Sequence, residues 1–301
     1  MINLVRISNF RGLKKIEVPL RPLTVLVGPN DSGKTSFMDA IYLRLRHPRN
    51  DGFKPSDYWR NSEKPEVSTL QDENNTLEVS AEIFRLPSQG ILMESKGVAD
   101  ESQKGAPLLD TTGQNLAAFI DYLLRREYRR FAQIQDSLRQ LVPGFEEIRI
   151  SHPSPPQRAI LLSIEKGLEI PGSSLSTGVR MLLFFVALAH HPSPPDVALI
   201  EEPENGVHPK RLKDIVELLR RLTKGELGGK PVQVILATHS PYLLDQVRLP
   251  EDQVVVFARE QDGRRTAREA DQARLKTFLD EFMLGEVWFN QGEEGLVRTA
   301  Q

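Results

Sequence analysis

Apolar and polar positions along this chain follow two rhythms. Residues 2–7 alternate as a half-buried strand does. Asn9-Phe10-Arg11-Gly12 reads as a turn, and residues 16–18 as a second short strand. Residues 23–27, LTVLV, are β-rich and end at Gly28, which predicts a buried strand feeding a loop. Over 36–45 the period lengthens, and Phe37, Ala40, Ile41 and Leu45 share one side of a helix. Strand, glycine loop and helix thus follow in succession.

The middle of the chain is less regular. Residues 47–75, rich in Pro, Asp, Asn, Ser and Lys, read as surface loop, and 76–84 as a strand. Residues 87–113 show weak periodicity and read as an irregular insertion. Two helices meeting near Tyr128 follow over 115–141, and Pro143-Gly144 stops them. Residues 145–150 and 159–164 read as strands. Beyond these the expected elements alternate: helix 179–190, strand 197–200, helix 209–222, strand 232–237, short helix 241–246, strand 253–258 and a closing helix 270–283. Such alternation predicts an α/β fold with a mostly parallel core sheet covered on both faces. We read one domain over 1–301, with antiparallel strands at its N-terminus and a helical segment, 87–141, inserted in it. There is no internal repeat and no coiled-coil heptad.

Composition narrows the function classes. The 301 residues suffice for a well-buried core, and the net charge of −2 supplies no global basic field for nucleic acid or anionic lipid. Cysteine is absent, which excludes disulfides, thiolate zinc sites and cysteine nucleophiles and fits a reducing cytoplasm. The start, MINLVRISNFRGL, lacks the pattern of a signal peptide. The longest apolar stretch, 181–189, is too short to span a bilayer, which takes roughly 20 residues. A soluble, cytoplasmic protein without a membrane partner is expected.

Four short motifs carry chemistry. The first is Gly28-Pro29-Asn30-Asp31-Ser32-Gly33-Lys34-Thr35, the pattern G-x-x-x-x-G-K-[ST], lying between a predicted strand and a predicted helix. Its glycines let backbone N–H groups converge on phosphate oxygens, and the helix that takes in Ser36 adds its positive end. Lys34 is expected on the outer phosphates and Thr35 on magnesium. The second is Glu201-Glu202-Pro203-Glu204, directly after the apolar strand. A solvated strand end would carry such charge without further purpose. Beside a phosphate loop, Glu201 reads as the metal-side carboxylate and Glu202 as the base that takes a proton from water.

The third is Thr238-His239-Ser240-Pro241, which places His239 at the expected carboxyl edge of the sheet, where ligands bind in such folds. The fourth, Leu175-Ser176-Thr177-Gly178, opens an apolar helix. Ser176 or Thr177 caps it, and the same helix end suits a phosphate. His190, His191 and His152 read as structural, while His208 could cap a helix or sit near a nucleotide.

Taken in order, GPNDSGKT, LSTG, VALIEEPE and ATHS resemble the phosphate loop, signature, Walker B segment and switch histidine of ABC-type ATPase heads. NFRGL, EEPENGVHP and THSPYLL are closer to the SMC/RecF/OLD-like branch than to transporters. The resemblance covers both ends and the C-terminal half, and implies an ABC-type P-loop NTPase head that uses ATP and Mg2+. It implies a homodimer, head to tail around two ATP molecules. Ser176, Thr177 and Gly178 would then serve the partner's ATP, with Glu202 as catalytic base, His239 as γ-phosphate switch and Arg11 reaching the phosphates. Three departures stand out. Walker B carries Glu201 where the family has Asp, the signature reads LSTGV, and for the glutamine loop Gln71 is only a guess. The end at Gln301 leaves little room for the nuclease domain that follows OLD-type heads.

DNA or an effector protein such as a nuclease is the expected partner, in repair or anti-phage defence. The alternative is a slow-turnover ATP switch gating a toxin or nuclease. For DNA, the segments Arg125–Arg130 and Arg44–Arg49 offer local charge, although a solvated helix face has the same appearance.

Overall fold

The structure is a computed structural model that describes residues 1–47, 51–58, 64–71, 80–87, 91, 93–96, 109–154, 157–227, 229–279 and 281–297. In chain order its strands and helices begin with β1 (Ile2–Phe10), β2 (Leu13–Pro19), β3 (Leu23–Val27), α1 (Lys34–Arg46), β4 (Glu66–Gln71), β5 (Ala81–Arg85) and β6 (Glu94–Lys96). Then come α2 (Leu116–Arg126), α3 (Tyr128–Leu141), β7 (Phe145–Ser151), β8 (Gln157–Ile164), β9 (Leu168–Pro171) and α4 (Thr177–Ala189). The last are β10 (Val197–Glu201), α5 (Pro209–Thr223), β11 (Gln233–Thr238), α6 (Pro241–Leu244), β12 (Gln253–Arg259), β13 (Arg265–Glu269), α7 (Gln272–Leu279) and α8 (Leu284–Leu296).

The chain forms two compact units. The first comprises Met1–Ile83, Pro195–Glu204 and Val232–Gln301. Its main sheet has the order β13-β12-β3-β11-β10-β5, and β12, β3, β11 and β10 run parallel, as the alternation of elements predicts. β3, LTVLV, is buried at every position, because a central parallel strand has two covered faces. The edge strand β13 is antiparallel to β12. A second sheet, β2-β1-β4, is antiparallel, as expected for the N-terminal strands. Phe10, Leu13, Phe37, Met38, Ile41, Leu26 and Phe257 belong to the core cluster of this unit. Phe37 meets Phe257 edge to face at 5.4 Å, which seats α1 beside β12.

The second unit comprises Phe84–Pro194 and Asn205–Pro231. Its antiparallel sheet places β8 between β6 and β7, with β9 also on β8. α4 packs with α3 and α5. Its residues Met181 to Ala189 are all buried, which accounts for the longest apolar run in the sequence.

Several expectations shift. β4 lies inside 47–75, expected as loop: Val67 is buried while Glu66 and Ser68 face solvent, so its composition looks like loop. Of the expected strand 76–84, residues 76–79 lie outside the described residues, and β5 takes the rest. β6 falls within the stretch expected to be irregular. β9, β13 and α8 were not expected, and the closing helix expected over 270–283 is the shorter α7. Among the described residues, no helix is long and apolar enough to cross a membrane.

Candidate functional site

Three parallel strands converge their loops on one edge of the main sheet. β11 lies between β3 and β10, with Ala237 in register with both Leu26 and Glu201. The carboxyl ends of β3 and β10 are therefore two strand spacings, roughly 10 Å, apart. Over this edge opens a cleft of about 480 Å3 lined by Arg11, Gly12, Asn30, Asp31, Ser32, Gly33, Lys34, Thr35, Ser36, Glu201, Glu202, Ala237 and Arg265.

The phosphate loop requires its glycines. Gly28 has φ 151° and lies against the backbone oxygen of Phe257, which a Cβ would approach to 2.2 Å. Gly33, at φ 108°, is the N-terminal cap of α1 and turns the chain into the helix. Lys34 is 8% exposed, and its Nζ donates to the carbonyls of Gly28 (2.6 Å) and Pro29 (2.9 Å). Burial pushes this amine below its ordinary range, against the raising influence of Glu202, Glu204 and Glu201. Ser32 Oγ is buried and has no hydrogen-bond partner among the described residues. A converging set of loop donors, a buried amine and an orphan hydroxyl suits a polyphosphate.

At the end of β10 the backbone departs from the ordinary. Glu202 has φ 47°, the left-handed region, and its N–H donates to Ala237 O at 2.8 Å. A non-glycine residue there costs of order 1–2 kcal/mol, and such outliers gather at functional sites. The turn sets Glu202 Oε1 3.0 Å from His239 Nδ1. His239 does not line the cleft itself and joins it through Glu202. Glu204 faces inward instead. Its Oε1 accepts a short hydrogen bond from Thr238 Oγ1, which in turn accepts from Ser240 N–H at 2.9 Å. Glu204 also accepts from the His239 backbone, while its Oε2 is buried without a hydrogen-bond partner among the described residues. Burial pushes the Glu204 carboxyl above its ordinary range, and the Thr238 hydrogen bond opposes this. The sequence marks Glu204 as the third acid of its cluster but gives no hint that it braces the histidine turn.

Arg11 also has positive φ, 48°, and is held from two sides. Its guanidinium pairs with Asp39 on α1 and, at 3.0 Å, with Asp57. Asp57 lies in the segment expected as plain loop, so sequence reasoning missed it. Arg265 was missed as well, since it belongs to no motif. The guessed Gln71 ends β4, opposite Ile2.

In the second unit, Ser176 caps α4, accepting from Val179 N–H at 3.4 Å, and Thr177 Oγ1 accepts from Arg180 at 3.4 Å. Among the described residues, a Cβ on Gly178 would meet nothing within 4 Å. His190 and His191 are buried as structural residues, and His208 caps α5 through Lys210 N–H. In the basic segments, Arg125 pairs with Asp121, Arg130 points at the carbonyls of His190 and His191, and Arg46 pairs with Glu82. Arg49 lies outside the described residues.

A phosphate loop, an acidic strand end and a histidine on neighbouring parallel strands define an ATPase head of the SMC/RecF/OLD-like kind. The chain belongs to the family described as "AAA domain, putative AbiEii toxin, Type IV TA system", which matches residues 69–245. A second description, "AAA ATPase domain", matches residues 1–86. The chain is 24% identical to an OLD nuclease of Thermus scotoductus, over 95% of this chain and 68% of that protein. It is 58% identical over 38 residues to the DNA replication and repair protein RecF of Nitrosococcus oceani, 12% of this chain and 10% of that one. The SMC head domain from Thermotoga maritima matches with a TM-score of 0.52 at 14% identity, covering 90% of this chain and 99% of that one, so the fold is shared.

Proposed function

We propose that this chain hydrolyses ATP as a head that dimerises around the nucleotide and passes the resulting change to DNA or an effector protein. The observation that carries this reading is the Glu202–His239 pair, 3.0 Å apart, at the edge of the cleft that holds the phosphate loop. Lys34 leaves the carbonyls of its own loop for the β- and γ-phosphates, and the N–H groups from Asn30 to Ser36 surround them. Thr35 and Glu201 would hold Mg2+, which would offset the negative charge that develops in the transition state. Glu202 takes the proton as water oxygen bonds to the γ-phosphorus and the bond to the ADP oxygen breaks. His239 Nδ1 donates to Glu202 Oε1, leaving Nε2 to meet the γ-phosphate.

Ser176, Thr177 and Gly178 act on the ATP of a second copy. The capped helix end at Gly178 supports this, because among the described residues nothing lies within 4 Å of where a Cβ would stand. Both units then serve one ATPase domain, in which 87–141 is an insertion. The nuclease names among its relatives make a nucleolytic effector, in defence or repair, the preferred partner. A second reading is favoured by one observation, Glu201 in place of the family's Asp. Its extra methylene moves the carboxylate outward, and turnover slows until the head is chiefly an ATP-gated switch.

Lys34→Ala is expected to abolish ATP binding. Glu202→Gln is expected to keep binding and accumulate an ATP-bound dimer by light scattering. Normal steady-state hydrolysis by Glu202→Gln would refute the base assignment. Wild-type turnover below one per several minutes, with and without DNA, would favour the switch.

A further inference from the structure

The cleft contains a third cation that no motif marks. Arg265 opens β13, more than 200 residues from the phosphate loop in sequence, yet lines the cleft beside it. Its stem crosses Gly12 and Gly33. A Cβ on Gly12 would lie 2.4 Å from Arg265 Nη1, and one on Gly33 3.1 Å from Arg265 Cγ. Its backbone N–H donates to Gly12 O at 3.2 Å. Its guanidinium grips the phosphate loop at Asp31, with Nη2 to Oδ1 at 2.7 Å and Nε to the Asp31 carbonyl at 3.2 Å. From the other strand of the same hairpin, Arg259 reaches Asp31 Oδ2 at 2.8 Å.

We propose that Arg265 is a nucleotide-contacting residue, which leaves Asp31 for the ATP phosphates when ATP enters the cleft. The proposal rests on the ATP-binding reading above. Two arginines line the cleft, and their present partners decide between them. The carboxylates holding Arg11, Asp39 and Asp57, are only 16% and 7% exposed. Removing Arg11 would take the guanidinium from two poorly solvated carboxylates, so Arg11 stays as a brace between α1 and the β1–β2 turn. Asp31 is 63% exposed. Solvent takes up its charge readily once Arg265 departs, and Arg259 remains on its second oxygen. A triphosphate carries several charges against Asp31's one, so the exchange runs toward the nucleotide. The planar fork of the guanidinium suits two phosphate oxygens at once. Gly12 is the residue that lets the fork lie this close to the backbone.

A competing explanation makes the Arg265–Asp31 pair a plain structural clamp on the loop. The two explanations predict opposite signs for one substitution. Asp31→Asn keeps the backbone at φ 62°, which Asn tolerates well, and deletes only the charge. If Arg265 serves the nucleotide, Asp31→Asn frees it, and the Kd for ATP falls. If the pair is a clamp, both Asp31→Asn and Arg265→Ala weaken binding.

The experiment is calorimetric titration of the whole chain with ATP and Mg2+, and separately with ADP. Arg265→Ala is expected to raise the Kd for ATP about tenfold or more, the loss of one charge-assisted contact. Arg265→Lys recovers part of it. Circular dichroism at the titration temperature confirms that each variant is folded, and Lys34→Ala sets the level of lost binding. An unchanged Kd in folded Arg265→Ala, or weaker binding in Asp31→Asn, overturns the proposal while leaving ATP binding intact. Absence of ATP binding by the unaltered chain overturns the ATP-binding reading and this proposal with it.

Discussion

Acidification should loosen the second unit through one side chain, His190. It closes α4, is 3% exposed, and is clasped on both ring nitrogens. Nδ1 lies 3.2 Å from Leu227 O, so it carries the proton, and Nε2 accepts from Ser137 Oγ at 2.9 Å. Burial, aided by the charges of Arg130 and Arg221, pushes its pKa down from 6.5 to about 4. The unfolded chain therefore takes up the proton first. Stability is at its full value above pH 6.5, falls as pH drops below that, and stops falling for this reason near pH 4. The complete effect is 2.5 pKa units, about 3 kcal/mol, of which about 2 kcal/mol is lost between pH 7.5 and 5. Hydrogen exchange of the α4 amides at those two pH values, corrected for intrinsic rates, measures it. His190→Asn, which keeps a donor for Leu227, should show a decline about 2 kcal/mol smaller over the same interval. Equal declines in the two proteins would refute the reasoning.

Phe37→Ala removes the ring that seats α1 on Phe257 and should cost about 3–5 kcal/mol in urea unfolding, with weaker ATP binding because the loop loses its platform. Phe37→Leu should retain most of both. At Glu204, Glu204→Ala strands the Thr238 hydroxyl and the His239 N–H and should cost about 1–3 kcal/mol. Glu204→Gln should do better than the parent as pH rises, because a carboxyl whose pKa is raised by burial loses stability once it must ionise. A Glu204→Gln protein less stable than the parent at pH 8 would show that the carboxylate is the favoured form.

The phosphate loop was legible because its residue identities and its context, LTVLV before and the Phe37/Ile41 face after, agree on one local structure. The acidic strand end and the THS turn were legible as motifs, and the parallel pairing of β10, β11 and β3 explains why they meet. What stayed hidden is of two kinds. Strands with little buried face leave no period: β9, LEIP, is mostly exposed, and β13, RTARE, has no fully buried position. α8 carries three glycines, one of them, Gly292, at φ 63°, so it lacks a clean helical signal. The other kind is distant pairing. Nothing near Arg265 in sequence announces Asp31, and nothing near Arg11 announces Asp57. Such partners are set by topology, since β13 pairs with β12 and β12 lies against β3, the strand that feeds the loop.

The backbone of Glu202 sets its stability against its chemistry. At φ 47° the position would be relaxed by glycine and tolerated by asparagine, whereas glutamate bears the cost of a Cβ without a short side chain to offset it. Selection for a sturdier fold alone would therefore erase the carboxylate. Under the base role proposed above, the acid itself is what this strained position carries, so Glu202→Gly is expected to relax the backbone and raise stability while hydrolysis is lost.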